Sequence, residues 1–300
     1  MSMNAKKVIF ILGPTAIGKT SLSIDLAKKL NTEIISCDSR QFYKELLIGA
    51  APPSVNELVE VRHHFIQNIS VTNDYNAGKF EIDAIKLITE LHKKKDVIIA
   101  VGGSGLYIDA ICKGFDNIPI VPSKLREELN NEFKENGKKW LQNEIQKIDP
   151  EFYTNCDKNN SQRLLRALEV FKETGKTISS FKTKKIKQRR FEILKIGLDT
   201  DRKILYKRIN KRVDNMLEKG LVEEVRSLIP YQQLNALQTV GYKELFNYCN
   251  DEITLETAIN NIKQNTRRFA KRQITWFKKD KITKWFAPHQ IKDIDSFIGL

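Results

Sequence analysis

Cysteine is scarce: Cys37, Cys112, Cys156 and Cys249 are the only four in 300 residues, with no C-x-x-C pair and no histidine close to any of them. That spacing suggests neither a disulfide framework nor a zinc site, and the four are expected as reduced core residues. Long apolar runs are missing as well, since none approaches the roughly 18 residues that a bilayer span requires. The N-terminus passes from Lys6 and Lys7 through a short apolar run straight into Gly13-Pro14, with no small-residue cleavage site. The expectation is a cytoplasmic protein without a membrane segment. Acidic residues run short, 37 Asp and Glu against 51 Lys and Arg, for a formal net charge of +14. With 41% hydrophobic residues this is a globular chain and not a disordered polycation, and the excess charge points to an acidic partner. Internal repeats are absent. The pair His63-His64 has no third ligand nearby in sequence and is assigned no chemistry.

What is present is an alternation. Short runs rich in Val and Ile, at Val8–Leu12, Glu33–Cys37, Val97–Val101 and Phe191–Leu198, are separated by helical patterns, which indicates a parallel sheet covered by helices. An amphipathic helix is expected from Lys19 to Leu30 and another from about Ala77 to Lys95. Between Val121 and about Lys187 the strand signals vanish. There, Ser123 can cap a helix running to Glu135, and Asn159 or Ser161 another running to Thr174, with Gly137 and Gly175 as punctuation. The predicted architecture is α/β: a P-loop NTPase-like parallel sheet core, discontinuous over 1–118 and 189–300, with an inserted all-helical subdomain at 119–188 and a helical C-terminal third. The latter holds a long helix from about Thr254 to Lys279, in which Ile262, Phe269 and Ile274 fit a core face, and a final strand at Thr283–Phe286. Two stretches are strongly basic, Lys176–Lys195 and Lys263–Lys284, and in the second Asp280 is the single acid. Such faces suit nucleic-acid phosphates or plain solvation.

Gly13-Pro14-Thr15-Ala16-Ile17-Gly18-Lys19-Thr20 fits G-x-x-x-x-G-K-[ST] between an expected strand and an expected helix. The glycines let successive N–H groups point inward, the helix N-terminus adds a positive dipole end, Lys19 supplies a charge and Thr20 offers its hydroxyl to Mg²⁺. The loop binds a di- or triphosphate, whether of ATP or of another molecule. A kinase should carry an acid at the end of a later strand. None is obvious, because Val97–Val101 runs into Gly102-Gly103-Ser104-Gly105. The acid nearest a strand end is Asp38, a candidate base that could equally cap the turn it begins. Carboxyl ends of neighbouring parallel strands face one crevice, so Asp38 and Gly102–Gly105 should both approach the phosphate loop.

These residues, with others in order along nearly the whole chain, resemble the tRNA dimethylallyltransferases, also called isopentenyl-tRNA transferases. The blocks are Gly13–Thr20, Ser36–Tyr43 (S-x-D-S-R-Q-F-Y), Gly102–Tyr107 (G-G-[ST]-x-L-Y), Asn160–Val170 (NSQRLLRALEV), Val240-Gly241-Tyr242 and Ala270–Trp276 (AKRQITW). The resemblance implies transfer of a dimethylallyl group from dimethylallyl diphosphate to N6 of the adenosine immediately 3′ of the anticodon. No phosphoryl transfer is needed, which accounts for the missing kinase acid. Carried onto matching positions, Asp38 would accept the N6 proton, Thr15 would help place the reacting groups, and Thr20 with Mg²⁺ would neutralise diphosphate charge.

The same resemblance implies contacts to the anticodon arm of tRNA. In the core they fall at Asp38, Ser39, Arg40, Gln41 and Ser104; in the insertion, at Arg126, Gln162, Arg163, Leu164, Leu165 and Arg166. In the C-terminal third they fall at Gln238, Thr239, Val240, Gly241, Tyr242 and Lys243, then at Lys271, Arg272, Gln273, Trp276 and Lys278. Leu164, Leu165 and Leu168 also read as an apolar helix stripe, with Arg163 and Arg166 as i, i+3 neighbours. Where the family often has G-T-A-K-P, this chain has Gly49-Ala50-Ala51-Pro52-Pro53. A monomer is expected. Competing readings are a prenyltransferase acting on free adenine nucleotides, a small-molecule P-loop kinase, and a non-catalytic RNA-binding protein that kept the loop.

Overall fold

The computed structural model describes residues 6–183 and 185–300; Met1–Ala5, and Lys184 of the basic stretch 176–195, lie outside the described residues. In chain order the elements are β1 (Lys7–Leu12), α1 (Lys19–Lys29), β2 (Ile34–Ser36), α2 (Val55–Glu60), β3 (His63–His64), α3 (Ala77–Leu91), β4 (Val97–Gly102) and α4 (Gly105–Cys112). Then come α5 (Ser123–Ile148), α6 (Pro150–Asn155), α7 (Ser161–Thr174), α8 (Ile178–Phe181) and β5 (Glu192–Leu198). The chain finishes with α9 (Arg202–Glu218), α10 (Leu221–Ser227), α11 (Tyr242–Cys249), α12 (Leu255–Phe277), β6 (Lys284–Phe286) and α13 (Ile291–Ile298).

The six strands form one parallel sheet in the order β3-β2-β4-β1-β5-β6. β1 is central, pairing Ile9 with Ile99 of β4 on one side and with Leu194 of β5 on the other. Its Val8–Leu12 run is buried throughout, as a strand with both faces covered must be. The chain leaves β1 for β2 and returns to β4 between them, so the order reverses beside β1. A crevice opens at such a switch point, at the carboxyl ends of the strands.

The chain divides into two compact units, Met1–Lys113 with Gln188–Leu300, and Gly114–Lys187. The sequence reading had drawn the borders at 118/119 and 188/189. The first unit contains the sheet. The second is entirely helical and closes on a core of Leu129, Leu141, Ile145, Phe152, Leu164, Leu165 and Leu168. Within it the buried Glu169 carboxylate takes Arg126 Nε at 3.2 Å and Arg166 NH1 at 3.1 Å, while Arg166 NH2 donates to the Pro119 carbonyl at 3.0 Å.

Several local expectations are corrected. β2 is shorter than Glu33–Cys37, and β5 begins after Phe191. α3 stops at Leu91, four residues before Lys95. Pro122, not Ser123, occupies the N-cap of α5; Gly137 (φ 74°, ψ −176°) does interrupt it, as expected, and a second helical stretch runs on to Ile148. Asn160, not Asn159 or Ser161, caps α7 by accepting the Arg163 N–H, and Gly175 ends it in the left-handed conformation. Cys37 and Cys112 are buried, but Cys156 and Cys249 are only half-buried; all four are free thiols. Phe269 is 38% exposed and does not belong to the core face of α12, whereas Ile262 and Ile274 do pack inward.

Candidate active site

A crevice of about 600 Å³ lies at the carboxyl ends of β1, β2 and β4, wholly within the sheet-containing unit. Its first wall is the loop between β1 and α1. Gly18 takes φ 106° at the N-cap of α1, a conformation that residues with a Cβ rarely adopt. Lys19 Nζ donates to the Pro14 carbonyl at 2.8 Å, closing the loop on itself. Burial lowers the Lys19 pKa to about 7, with nearby Asp38 raising it and Arg212 lowering it further. Gly13 and Pro14 lie buried behind the loop, while Thr15, Ala16, Ile17, Gly18, Lys19 and Thr20 line the crevice.

Asp38, Ser39, Arg40 and Gln41 enter from the end of β2, and Gly102, Gly103 and Ser104 from the end of β4. Asp38 does cap its turn: Oδ1 accepts the Arg40 N–H at 2.9 Å. A turn cap occupies one oxygen and leaves Oδ2 for chemistry, so capping and proton acceptance are compatible. Ser104 Oγ accepts the Ser39 N–H at 3.0 Å and lies 3.2 Å from Ser39 Oγ, tying the two strand ends together. The Gln41 side chain is already committed, accepting from Ser36 Oγ at 3.0 Å and donating to the Ala51 carbonyl at 2.9 Å.

Helices from the C-terminal third complete the enclosure. α9 sends Arg208 NH1 to the Ile17 carbonyl at 3.3 Å and Arg212 NH1 to Thr15 Oγ1 at 3.2 Å, with Lys211 lining the same space. Burial lowers the Arg212 pKa, opposed by the Asp38 charge. Past Arg212 the lining changes character: Val213, Met216, Leu221, Val240, Tyr242 and Ile262 are apolar or present an apolar ring. Five basic side chains, Lys19, Arg40, Arg208, Lys211 and Arg212, thus share the crevice with one carboxylate, an arrangement that suits a multiply charged anion carrying an apolar group.

Sequence reasoning missed Arg208, Lys211 and Arg212. The signal was present in the i, i+4 spacing of Arg208 and Arg212 beside the buried stripe Leu205, Ile209, Val213, but a helix bearing other basic residues offers no reason to prefer those. It also set aside His63, which lines the crevice, donates Nδ1–H to the Val61 carbonyl at 2.8 Å and keeps Nε2 buried with no hydrogen-bond partner among the described residues; desolvation lowers its pKa.

Other residues singled out from sequence are not among the crevice lining, or are buried or already hydrogen-bonded. Arg126, Gln162, Arg163, Leu164, Leu165 and Arg166 belong to the helical unit. Of these Leu164 and Leu165 are core side chains and Gln162 and Arg163 are exposed. Thr239 and Val240 line the crevice with Gly241 and Tyr242, but Tyr242 is fully buried and its hydroxyl donates to Glu224 Oε1 at 2.7 Å. Gln238 donates to the Gln232 carbonyl at 2.7 Å, and Lys243 is exposed. On α12, Lys271 and Arg272 are exposed, Arg272 lying 5.8 Å from the Phe269 ring; Trp276 packs against Gly105. Lys278, just past the helix, pairs with Asp199 at 2.8 Å. Gln273 is buried and lines the crevice. No group of three or more His, Cys, Asp or Glu side chains among the described residues could hold a metal by itself, and no described helix is long and apolar enough to cross a membrane.

Residues 41–280 match the family model described as IPP transferase. The chain is 54% identical over 279 residues to a tRNA dimethylallyltransferase of Christiangramia forsetii, covering 93% of this chain and 92% of that one. It is 51% identical over 285 residues to another of Flavobacterium psychrophilum, covering 93% of each. The structure superposes on the crystal structure of a tRNA isopentenylpyrophosphate transferase of Bacillus halodurans with TM-score 0.72 and 36% identity, over 98% of this chain and 96% of that one. On a eukaryotic dimethylallyltransferase solved acting on tRNA, the TM-score is 0.77 at 27% identity, over 97% of this chain and 76% of that one. A phosphate loop facing a strand-end aspartate, and a family match spanning most of its length, lead to one assignment: the chain belongs to the IPP transferase family.

Proposed function

We infer that this protein is a tRNA dimethylallyltransferase, moving a dimethylallyl group from its diphosphate to N6 of the adenosine immediately 3′ of the anticodon. One observation supports this reading above others: a phosphate loop ringed by Lys19, Arg208, Lys211 and Arg212 shares its crevice with Asp38 and an apolar lining. A kinase would not need the apolar lining, and a passive RNA-binding surface would not need the enclosed cations.

In the reaction the bond between C1 of the donor and its diphosphate oxygen breaks, a bond from N6 to C1 forms, and one N6 proton moves to Asp38. An adenine amine is a poor nucleophile, and a carboxylate within hydrogen-bond reach raises electron density on nitrogen as the carbon becomes cationic. The loop amides, Lys19 and the α9 arginines hold the charge that accumulates on the leaving diphosphate. The Thr20 hydroxyl, which lines the crevice, would be the protein ligand for Mg²⁺, an ion commonly bound through few protein oxygens. Asp38 in the same crevice is compatible with that sparse donor set. When bound, Mg²⁺ supplies further neutralisation of the diphosphate.

The test is to incubate the protein with labelled dimethylallyl diphosphate and tRNA, AMP or ATP, and to analyse nucleosides by mass spectrometry. Prenylated adenosine from tRNA is expected. Label in AMP or ATP alone would move the acceptor to free nucleotides, and a strict ATP requirement with ADP formed at each turnover would restore the kinase.

A further inference from the structure

The AKRQITW block places Gln273 among basic residues, where an amide reads as an RNA contact. Its environment is different. Gln273 is 7% exposed, and both ends of its amide are used inside the protein. Oε1 accepts the backbone N–H of Thr15 at 3.0 Å, and Nε2 donates to the Gly103 carbonyl at 2.9 Å. The partners fix the orientation, because one is only a donor and the other only an acceptor.

Gly103 explains itself through this contact. Its backbone is not in the left-handed region, yet a Cβ built there would collide with Gln273 Nε2, the nearest obstacle. The residue is glycine to admit the amide. From Gly103 the connection continues to Ser104, whose Oγ accepts the Ser39 N–H at 3.0 Å, and from there to the turn that Asp38 caps. Gln273 therefore stands between the loop that would hold the electrophile and the turn that holds the base.

We propose that Gln273 is a positioning residue: it fixes the separation of the phosphate loop and the Asp38 turn, and adds nothing to RNA affinity. This rests on the prenyl-transfer reading of the crevice. A displacement of about 1 Å between reacting groups can cost on the order of 10²-fold in rate.

The experiment uses full-length protein with Gln273→Ala, Gln273→Glu, Gly103→Ala and the Gly103→Ala/Gln273→Ala double variant. Single-turnover rates at saturating donor and tRNA are measured beside tRNA Kd. Gln273→Ala should lower the rate by about 10- to 100-fold and leave Kd within about twofold. Gln273→Glu keeps the acceptor for Thr15 and loses the donor to Gly103, so KM for dimethylallyl diphosphate should stay near wild type while kcat falls. Gly103→Ala should resemble Gln273→Ala, and the double variant should be no worse than the poorer single one, because both changes break one contact. A tenfold weaker tRNA Kd with an unchanged saturated rate, or losses that multiply in the double variant, would overturn the proposal. Hydrogen exchange at the Thr15 amide, measured without substrate, reads the contact directly: Gln273→Ala should accelerate it, and unchanged exchange would also overturn it. An inactive wild-type protein would instead sink the functional reading, and the exchange measurement would still decide on Gln273.

Discussion

The phosphate loop and the helical lining of the same crevice solve opposite problems. The loop, Thr15 to Thr20, runs continuously from β1 into α1 and meets its ligand with backbone amides and one lysine. The helical lining is gathered from α9, α10, α12 and the approach to α11, and offers side chains: Arg208 and Arg212 at one end, then Met216, Leu221, Val240 and Ile262. Anion binding by backbone needs successive residues in one special conformation, so it can only be local. An apolar enclosure needs shape and little else, and can be supplied from anywhere in the chain. The difference separates what can be abolished by one substitution from what can only be retuned.

The largest effect is expected where both sides converge. Asp38→Ala should lower the single-turnover rate by about 10²- to 10⁴-fold while tRNA binding is retained, since the carboxylate would move a proton and attract no polyanion. A wild-type rate would remove Asp38 as the base. Next come the cations: Arg212→Ala and Lys19→Ala should each cost on the order of 10² in rate at saturating donor, because they hold charge that grows as the diphosphate leaves. A change confined to donor KM would show that they bind ground and transition states equally.

The apolar lining should give a smaller, qualitative change. Met216 sits one helical turn, about 6 Å, past Arg212 on the same face of α9, a reach that matches a five-carbon chain extending from a diphosphate held at the loop. Met216→Ala should let the enzyme accept geranyl diphosphate at least about tenfold better relative to dimethylallyl diphosphate, within the range that a few methylenes of pocket contact can supply. Unaltered donor preference would place the prenyl group elsewhere.

The smallest effect is a fraction of a proton. Lys19, with its pKa lowered from 10.5 to about 7, is largely neutral in the free protein at pH 8, and an incoming diphosphate would favour its charged form. Donor binding at pH 8 should therefore take up protons, and at pH 6 much less; calorimetry in two buffers of different ionisation enthalpy reads this. The stability effect has a defined sign. Between about pH 7 and 10.5 the unfolded chain keeps a proton that the folded one has released, so the Lys19 contribution makes the fold more stable as pH rises through that window.

Much of the first wall was legible because its signals are contiguous: the loop, the buried strands and Asp38 are each read from neighbours in sequence. β3 was not, since two residues, His63 and His64, carry no periodicity. α2 was missed although Ser54 and Glu57 spell a capping box, which the structure shows closed in both directions. Phe269 was placed in the core because its spacing from Ile262 suits one helix face, and spacing cannot reveal that a cavity lies on that side. Tyr242 and Gln273, read through the family blocks as RNA contacts, have their polar atoms used by Glu224, Thr15 and Gly103. A motif tells which residues matter together without telling which of them touch the ligand.

The bond from Lys19 to the Pro14 carbonyl has a consequence for turnover. With that bond available, the loop's own carbonyl competes with every anion for the ammonium, so donor affinity reports an exchange of partners rather than a bare charge meeting a phosphate. In the proposed reaction the diphosphate left after transfer would gain the charge that its ester bond to the donor had masked. An internal acceptor waiting for Lys19 would favour its departure, and the resting loop would thereby also help to clear the site.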